Sequence, residues 1–164
     1  MLKWIWLSVT IIVLDLATKA VASDQLILHQ PVPMFPGFNF TLMHNTGAAF
    51  SFLSEASGWQ RWFFSIIAIG VSVGIIVWLK RLATNQVLTA VALALILGGA
   101  LGNVWDRLTL GYVVDFIQVY YDRWYWPAFN IADSAISVGA VALIIDSFRS
   151  ARDEKKQSSE EVQN

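Results

Sequence analysis

Four apolar stretches, roughly residues 2–22, 62–79, 87–105 and 131–148, constrain what this chain can fold into. Each approaches the ~20 apolar residues that a helix rising ~1.5 Å per residue needs to cross a ~30 Å hydrocarbon core. A chain of 164 residues that is 56% hydrophobic and only 14% charged is too apolar for an ordinary soluble domain. The expected class is an all-α polytopic membrane protein with four transmembrane helices. Its domain plan is one membrane-embedded unit over residues 1–150 and a charged, solvated tail over 151–164, with outer loops at 23–61 and 106–130.

The first stretch must be weighed against a cleavable signal peptide, because Lys3 precedes an apolar core and Ala20-Val21-Ala22 imitates a small-x-small cleavage site. Asp15 and Lys19 interrupt the region that such a peptide keeps uncharged, so a retained helix is expected. Of the 11 basic residues, Lys3, Lys80, Arg81, Arg149, Arg152, Lys155 and Lys156 fall on the side carrying both termini. The other four, Lys19, Arg61, Arg107 and Arg123, are spread over the two long loops and their edges. The bias predicts cytoplasmic termini and extracytoplasmic loops. With no cysteine, disulfides, thiolate nucleophiles and Cys-based metal sites are excluded, and a net charge of −1 argues against a nucleic-acid partner.

Three of the 4 prolines (Pro31, Pro33, Pro36) lie in the first outer loop, where Phe38-Asn39-Phe40-Thr41-Leu42 alternates as a strand does. A small extracytoplasmic β platform is expected there. Asn45-Thr46-Gly47 reads as a turn, and Ala48 to Leu53 as a short interfacial segment able to touch lipid or a lipid-bearing ligand. In the second loop, Tyr112, Tyr120, Tyr121, Trp124, Tyr125 and Trp126 read as an aromatic belt at the membrane surface. Gly70/Gly74 and Gly98/Gly102 have the small-x-x-x-small spacing that lets helices approach closely.

Nearly all the intramembrane polar residues map to one depth, the outer membrane edge. Asp15, Thr18 and Lys19 end the first span, Asn103, Asp106 and Arg107 end the third, and Asn130 and Asp133 begin the fourth, while Asn45 and Asp115 sit in the loops. Asp146, beside Arg149 at the opposite end, reads as a boundary residue. An ionised Asp at the centre of a membrane helix costs ~2.5–3.5 kcal/mol on insertion scales, so such groups face protein or water. Asp15 and Lys19, at i and i+4, suit an intrahelical ion pair. Asp106 and Arg107 read as a satisfied helix end, and the planar fork of Arg107 suits a carboxylate or carbonyl. Asp115 and Asp133 have no base at helical spacing; the helix N-terminus favours Asp133, and Asn130 can cap that helix. If the two acids meet at ~4 Å in an effective dielectric of ~20, they repel by about 4 kcal/mol, roughly three pKa units. They would then hold one proton between them and could activate water against an amide. His29 and His44 fit no His-Glu-x-x-His metal signature, and there is no Gly-x-Ser-x-Gly elbow.

At these residues the sequence resembles the bacterial lipoprotein signal peptidase family, also called signal peptidase II. The matching segments are Asp15-Leu16-Ala17-Thr18-Lys19, Asn45-Thr46-Gly47-Ala48-Ala49-Phe50, Gly102-Asn103-Val104-Trp105-Asp106-Arg107 with Gly111 to Phe116, and Phe129-Asn130-Ile131-Ala132-Asp133-Ser134-Ala135-Ile136. The resemblance implies an aspartic endopeptidase of the bacterial inner membrane with Asp115 and Asp133 as its catalytic dyad. Its substrate would be a diacylglyceryl-modified prolipoprotein, cut before the lipidated cysteine. Asn45, Gly47, Asn103, Arg107 and Asn130 would position substrate and dyad, Asp15, Lys19 and Asp106 would support the site, and Ala48 to Leu53 would help cover the substrate. A monomer without metal or other cofactor is expected, and the resemblance further implies inhibition by the cyclic lipopeptide globomycin. Two readings compete. A small ion transporter predicts polar groups through the membrane thickness, whereas the centres of spans two to four are almost purely apolar. A non-catalytic scaffold explains the glycine pairs but not an acid such as Asp115 without a partner.

Overall fold

The computed structural model describes residues 1–47 and 58–161. After a 3-10 turn at Leu2–Trp4 come α1 (Ile5–Gln25), β1 (Val32–Phe35), β2 (Phe38–Asn45), α2 (Trp59–Arg81), α3 (Val87–Thr109), β3 (Val113–Tyr121), β4 (Trp124–Tyr125) and α4 (Ile131–Glu161). Four of these helices are long and apolar enough to cross a membrane, as the four apolar stretches predict. Helices outrun the apolar stretches because backbone hydrogen bonding continues through polar residues. Asn103, Asp106 and Arg107 therefore lie inside α3, and α4 runs on from its apolar part to Glu161, through most of the stretch read as a tail.

The most enclosed helix is α3, which packs against α1, α2 and α4. Small residues make this possible. A Cβ on Gly98 would lie 2.8 Å from Ile11 Cβ and 2.8 Å from the Ser8 carbonyl oxygen, and one on Gly99 only 2.3 Å from the Ala132 carbonyl oxygen. Gly98 and Gly102 thus seat α1, and Gly99 seats α4. The pair Gly70/Gly74 does not behave this way: a Cβ at either position meets nothing within 4 Å, so this spacing packs no helix among the described residues. The expectation fails because spacing alone does not say which face a neighbour occupies. Polar bonds add to the packing, since the buried Ser8 hydroxyl donates to the Ala94 carbonyl at 2.8 Å. Asp146 does more than mark a boundary: it accepts a hydrogen bond from Thr89 and ties the start of α3 to α4.

The strands form one antiparallel sheet in the order β1-β2-β3-β4. The platform expected from the first loop is present, but its longest strand, β3, comes from the second loop, where only an aromatic belt is expected. The run Val113-Val114-Asp115-Phe116-Ile117-Gln118-Val119-Tyr120-Tyr121 is rich in β-branched and aromatic residues, the composition that suits a pleated surface. Three of the loop's rings take part in stacks: Tyr120 on Tyr125 at 5.1 Å and Tyr112 on His44 at 4.0 Å. Tyr121, Trp124 and Trp126 stay exposed, as belt residues do. The pairing of β2 with β3 sets Met43 opposite Asp115 and Asn45 opposite Val113, with a register shift between Phe40 and Met43. The segment Ala48 to Leu53 lies outside the described residues.

Because the Cβ of an alanine at position 99 would overlap backbone rather than a movable side chain, Gly99→Ala should lower stability by about 1–3 kcal/mol. Gly74→Ala should leave it unchanged or slightly higher. Thermal unfolding of both variants in detergent checks this contrast.

Candidate functional site

The start of α4 organises the polar cluster. Asn130 caps that helix: its Oδ1 accepts the Asp133 backbone N–H at 2.8 Å, and Asp133 Oδ2 accepts the Asn130 backbone N–H at 3.3 Å. This reciprocal pair is a capping box with Asn and Asp in place of the usual residues. It fixes the Asn130 amide orientation, because Oδ1 is committed to the helix and Nδ2 must point away. Nδ2 has three acceptors in reach: Asp115 Oδ1 at 2.7 Å, Asn103 Oδ1 at 3.1 Å and the Val114 carbonyl at 3.2 Å. One fully buried asparagine is therefore bonded to the Asp115 side chain and to both ends of the Asp133 cap.

Asp115 is 2% exposed on β3 and receives a second amide donor, Asn45 Nδ2, at 3.0 Å. Asn45 is oriented by its own turn, since its Oδ1 accepts the Gly47 N–H at 2.9 Å. Gly47 has φ +94, and a Cβ there would stand 2.7 Å from the Phe64 ring, so a side chain is opposed both by the backbone and by space. Burial, and then the charge of Asp133, push the Asp115 carboxyl up to about 7; the bonds from Asn45 and Asn130, and the charge of Lys19, act in the opposite direction but do not cancel the rise. The two acids are thus within electrostatic reach of each other.

Asn103, on α3, donates from Nδ2 to Asp133 Oδ1 at 2.7 Å, while its Oδ1 accepts from Lys19 Nζ at 3.0 Å. Lys19 is buried among three oxygens: it donates to Asn103 Oδ1 and forms ion pairs with Asp15 Oδ2 at 2.7 Å and Asp106 Oδ2 at 3.0 Å. The expected Asp15–Lys19 pair is present. Asp106 turns to Lys19 rather than to Arg107, because Arg107 projects along its own helix and donates to the Asn103 carbonyl at 3.3 Å. The Arg107 guanidinium also lies 5.6 Å over the Phe64 ring, within electrostatic reach of Asp133 and Asp115. Asp15 Oδ1 accepts the Ala132 N–H at 2.9 Å, and Asp106 Oδ2 accepts the Val114 N–H at 3.0 Å.

The polar residues mapped to the outer membrane edge thus fall in one connected cluster, apart from Thr18, whose hydroxyl bonds back to the Leu14 carbonyl at 2.7 Å. Phe64 is the residue that sequence reasoning misses. Nothing in an apolar helix distinguishes the one ring that will face Gly47 and Arg107. Likewise, the backbone N–H groups of Val114 and Ala132 become site components only through the fold. Among the described residues, no three His, Asp or Glu side chains converge as metal ligands. The arrangement gives two carboxyls, one on β3 and one in the first turn of α4, a common asparagine neighbour and places them within electrostatic reach of each other.

A family model described as signal peptidase (SPase) II matches residues 7–149. The lipoprotein signal peptidase of Pseudomonas aeruginosa is 56% identical over 153 residues, covering 92% of this chain and 90% of its own. That of Teredinibacter turnerae is 58% identical over 146 residues, covering 89% and 87%. A solved structure described as a bacterial membrane enzyme superposes with a TM-score of 0.79 at 31% identity, covering 92% of this chain and 90% of that one.

Replacing Asn130 by Ser keeps a helix-capping oxygen but removes the amide donor to Asp115. Since that bond lowers the Asp115 pKa, Asn130→Ser should raise it above its value in the parent protein, and should cost about 1–3 kcal/mol of stability because Asp115, Asn103 and the Val114 carbonyl lose a buried donor. Asn130→Ala should in addition cost about 1 kcal/mol from the lost cap. Infrared titration of the Asp115 carboxyl alongside thermal unfolding separates the two effects.

Proposed function

The chain belongs to the signal peptidase II family, peptidases that remove signal peptides from prolipoproteins in the bacterial inner membrane, and from that premise we propose that Asp115 and Asp133 are its catalytic dyad. The observation that carries this reading is the Asn130 side chain, bonded to Asp115 on one side and to the Asp133 cap on the other. It gives two carboxyls from different elements a common rigid neighbour, which is what an acid/base pair needs to keep its geometry.

In the proposed reaction the substrate is a prolipoprotein whose cysteine carries diacylglycerol, and the scissile amide precedes that cysteine. Asp115 enters holding the proton, consistent with its raised pKa. Water attacks the carbonyl carbon and passes a proton to Asp133, while Asp115 protonates the developing oxyanion. The tetrahedral species then collapses. The C–N bond breaks, the amine leaves with the proton from Asp133, and Asp115 recovers its own from the diol. No covalent enzyme intermediate forms. Asn45 and Asn130 orient Asp115, Asn103 orients Asp133, and Gly47 leaves room beside Phe64. Arg107, with its guanidinium over that ring, is positioned to bind the substrate backbone. Lys19, Asp15 and Asp106 support this layer from within the membrane-embedded part.

The same reading takes the enzyme as a monomer with both termini cytoplasmic, its site at the extracytoplasmic membrane edge, and open to globomycin. A lipid-anchored substrate presents its amide at that depth.

Asp115→Asn and Asp133→Asn should each insert and fold but lose cleavage of a diacylglyceryl prolipoprotein by ~10²–10⁴-fold, the usual worth of acid/base catalysis. Near-normal turnover by either variant in detergent would remove that residue from the dyad. The pH dependence has a definite sign. Asp115 carries its proton below about 7 and loses it above. Cleavage should therefore fall on the alkaline side of about 7, by about tenfold per pH unit, as the acid is titrated away. A rate that keeps rising through that range would contradict Asp115 as the acid.

A further inference from the structure

The outer end of α1 and the sheet enclose a groove of about 380 Å³, lined by Ala17, Val21, Ala22 and Leu26 from the helix and by Phe40 and Phe116 from β2 and β3. Its size falls in the ~300–1,000 Å³ range of small-molecule sites. Phe116 follows Asp115 along β3, and strand alternation turns the two side chains to opposite faces. The groove therefore lies behind the catalytic cluster and is separate from it.

The lining offers little to water. Of the two polar side chains bordering it, the Thr18 hydroxyl is spent on the Leu14 and Asp15 carbonyls at 2.7 and 3.0 Å. The Gln25 amide nitrogen is engaged by Asp24 Oδ2 at 2.5 Å. A groove lined almost wholly by apolar side chains takes an apolar guest. The guest must be long and thin: the lining runs along α1 from Ala17 to Leu26, about 14 Å at ~1.5 Å per residue, close to one leaflet of a ~30 Å hydrocarbon core. The groove is also continuous with the exposed, lipid-facing Val13, Leu14 and Val21 on the same helix.

At the Gln25–Leu26 end of the groove the lining residue Gln25 is bonded to the exposed Asp24, whose negative charge disfavours an anionic headgroup and favours an ammonium. We infer that this groove binds one acyl chain of a bilayer phospholipid whose headgroup carries an ammonium, as in phosphatidylethanolamine. The site is independent of the dyad assignment and does not hold the substrate's own acyl chains.

The test uses the full chain in vesicles containing phosphatidylethanolamine with a photoactivatable diazirine in its acyl chain, with cross-links mapped by mass spectrometry. Labels should concentrate on the α1 lining, Phe40 and Phe116, severalfold above the equally apolar exposed face of α2 at Ile66, Ile67 and Val73. Ala17→Phe, which fills the groove from an exposed position and so leaves the packing intact, should reduce groove labelling severalfold. Val13→Phe, one turn deeper on exposed surface, should not. Diazirine-labelled phosphatidylglycerol should label the groove less. Uniform labelling of α1 and α2, or groove labelling unchanged by Ala17→Phe, would overturn the site. Equal labelling by both lipids would overturn the headgroup preference. Displacement of the label by an excess of diacylglyceryl peptide would assign the groove to substrate and overturn the inference as well.

Discussion

The structure depends on one buried ammonium. Lys19 is inserted between Asp15, Asp106 and Asn103 at 2.7, 3.0 and 3.0 Å, paired with two carboxylates and donating to one amide oxygen. Taking three charges out of water costs several kcal/mol per ion unless the geometry is close to complete. Here backbone donors add to the cluster, one on the second oxygen of Asp15 and one on the same Asp106 oxygen that faces Lys19. Asp15 receives the N–H of Ala132 at the start of α4, and Asp106 that of Val114 at the start of β3. A single charge cluster thereby joins α1, α3, α4 and the sheet at the depth where the proposed dyad lies.

From that cluster a chain of amides leads outward. The Asn103 carbonyl oxygen faces Lys19, which obliges its NH₂ to face Asp133. The Asn130 oxygen is held by the α4 cap, which obliges its NH₂ to face Asp115 and Asn103. Asn45 is fixed in the same manner by the Gly47 N–H. Asparagine suits this role because it offers a donor and an acceptor at a fixed separation, and once one end is committed the direction of the other follows. The consequence is a pair of carboxyls that differ in environment: Asp115 is enclosed in the sheet and carries a raised pKa, and Asp133 sits half-buried at the positive end of a helix. Unequal surroundings for two acids are what separates the roles of acid and base.

The close packing that permits this is supplied by glycine and alanine on α3. With backbones in contact at Gly99 and Ala132, the first turn of α4 is drawn against α3, and Asn103 and Asp133 come within hydrogen-bond reach. The second glycine pair, on α2, has the same spacing and no close neighbour among the described residues. Whether a small-residue pattern packs a helix therefore depends on the direction its face takes in the fold.

The four spans, the depth of the polar groups, the Asp15–Lys19 pair and the cap at Asn130 were legible in the chain itself. Each rests on a local rule: the length of an apolar run, a spacing of i and i+4, or the chemistry of a helix start. Family resemblance through four short motifs was legible too, and the comparisons bear it out. The tertiary structure decided what no local rule reaches. It put β3 beside β2, bringing Asp115 opposite Met43 and against Asn45 seventy positions away. It also turned Asp106 from Arg107 to Lys19, chose Phe64 from a uniformly apolar helix, and left Gly70 and Gly74 facing outward. The physical reason is the same throughout: a sequence states which groups must find partners in the membrane, and only the crossing of helices and strands determines which partners are within 3 Å.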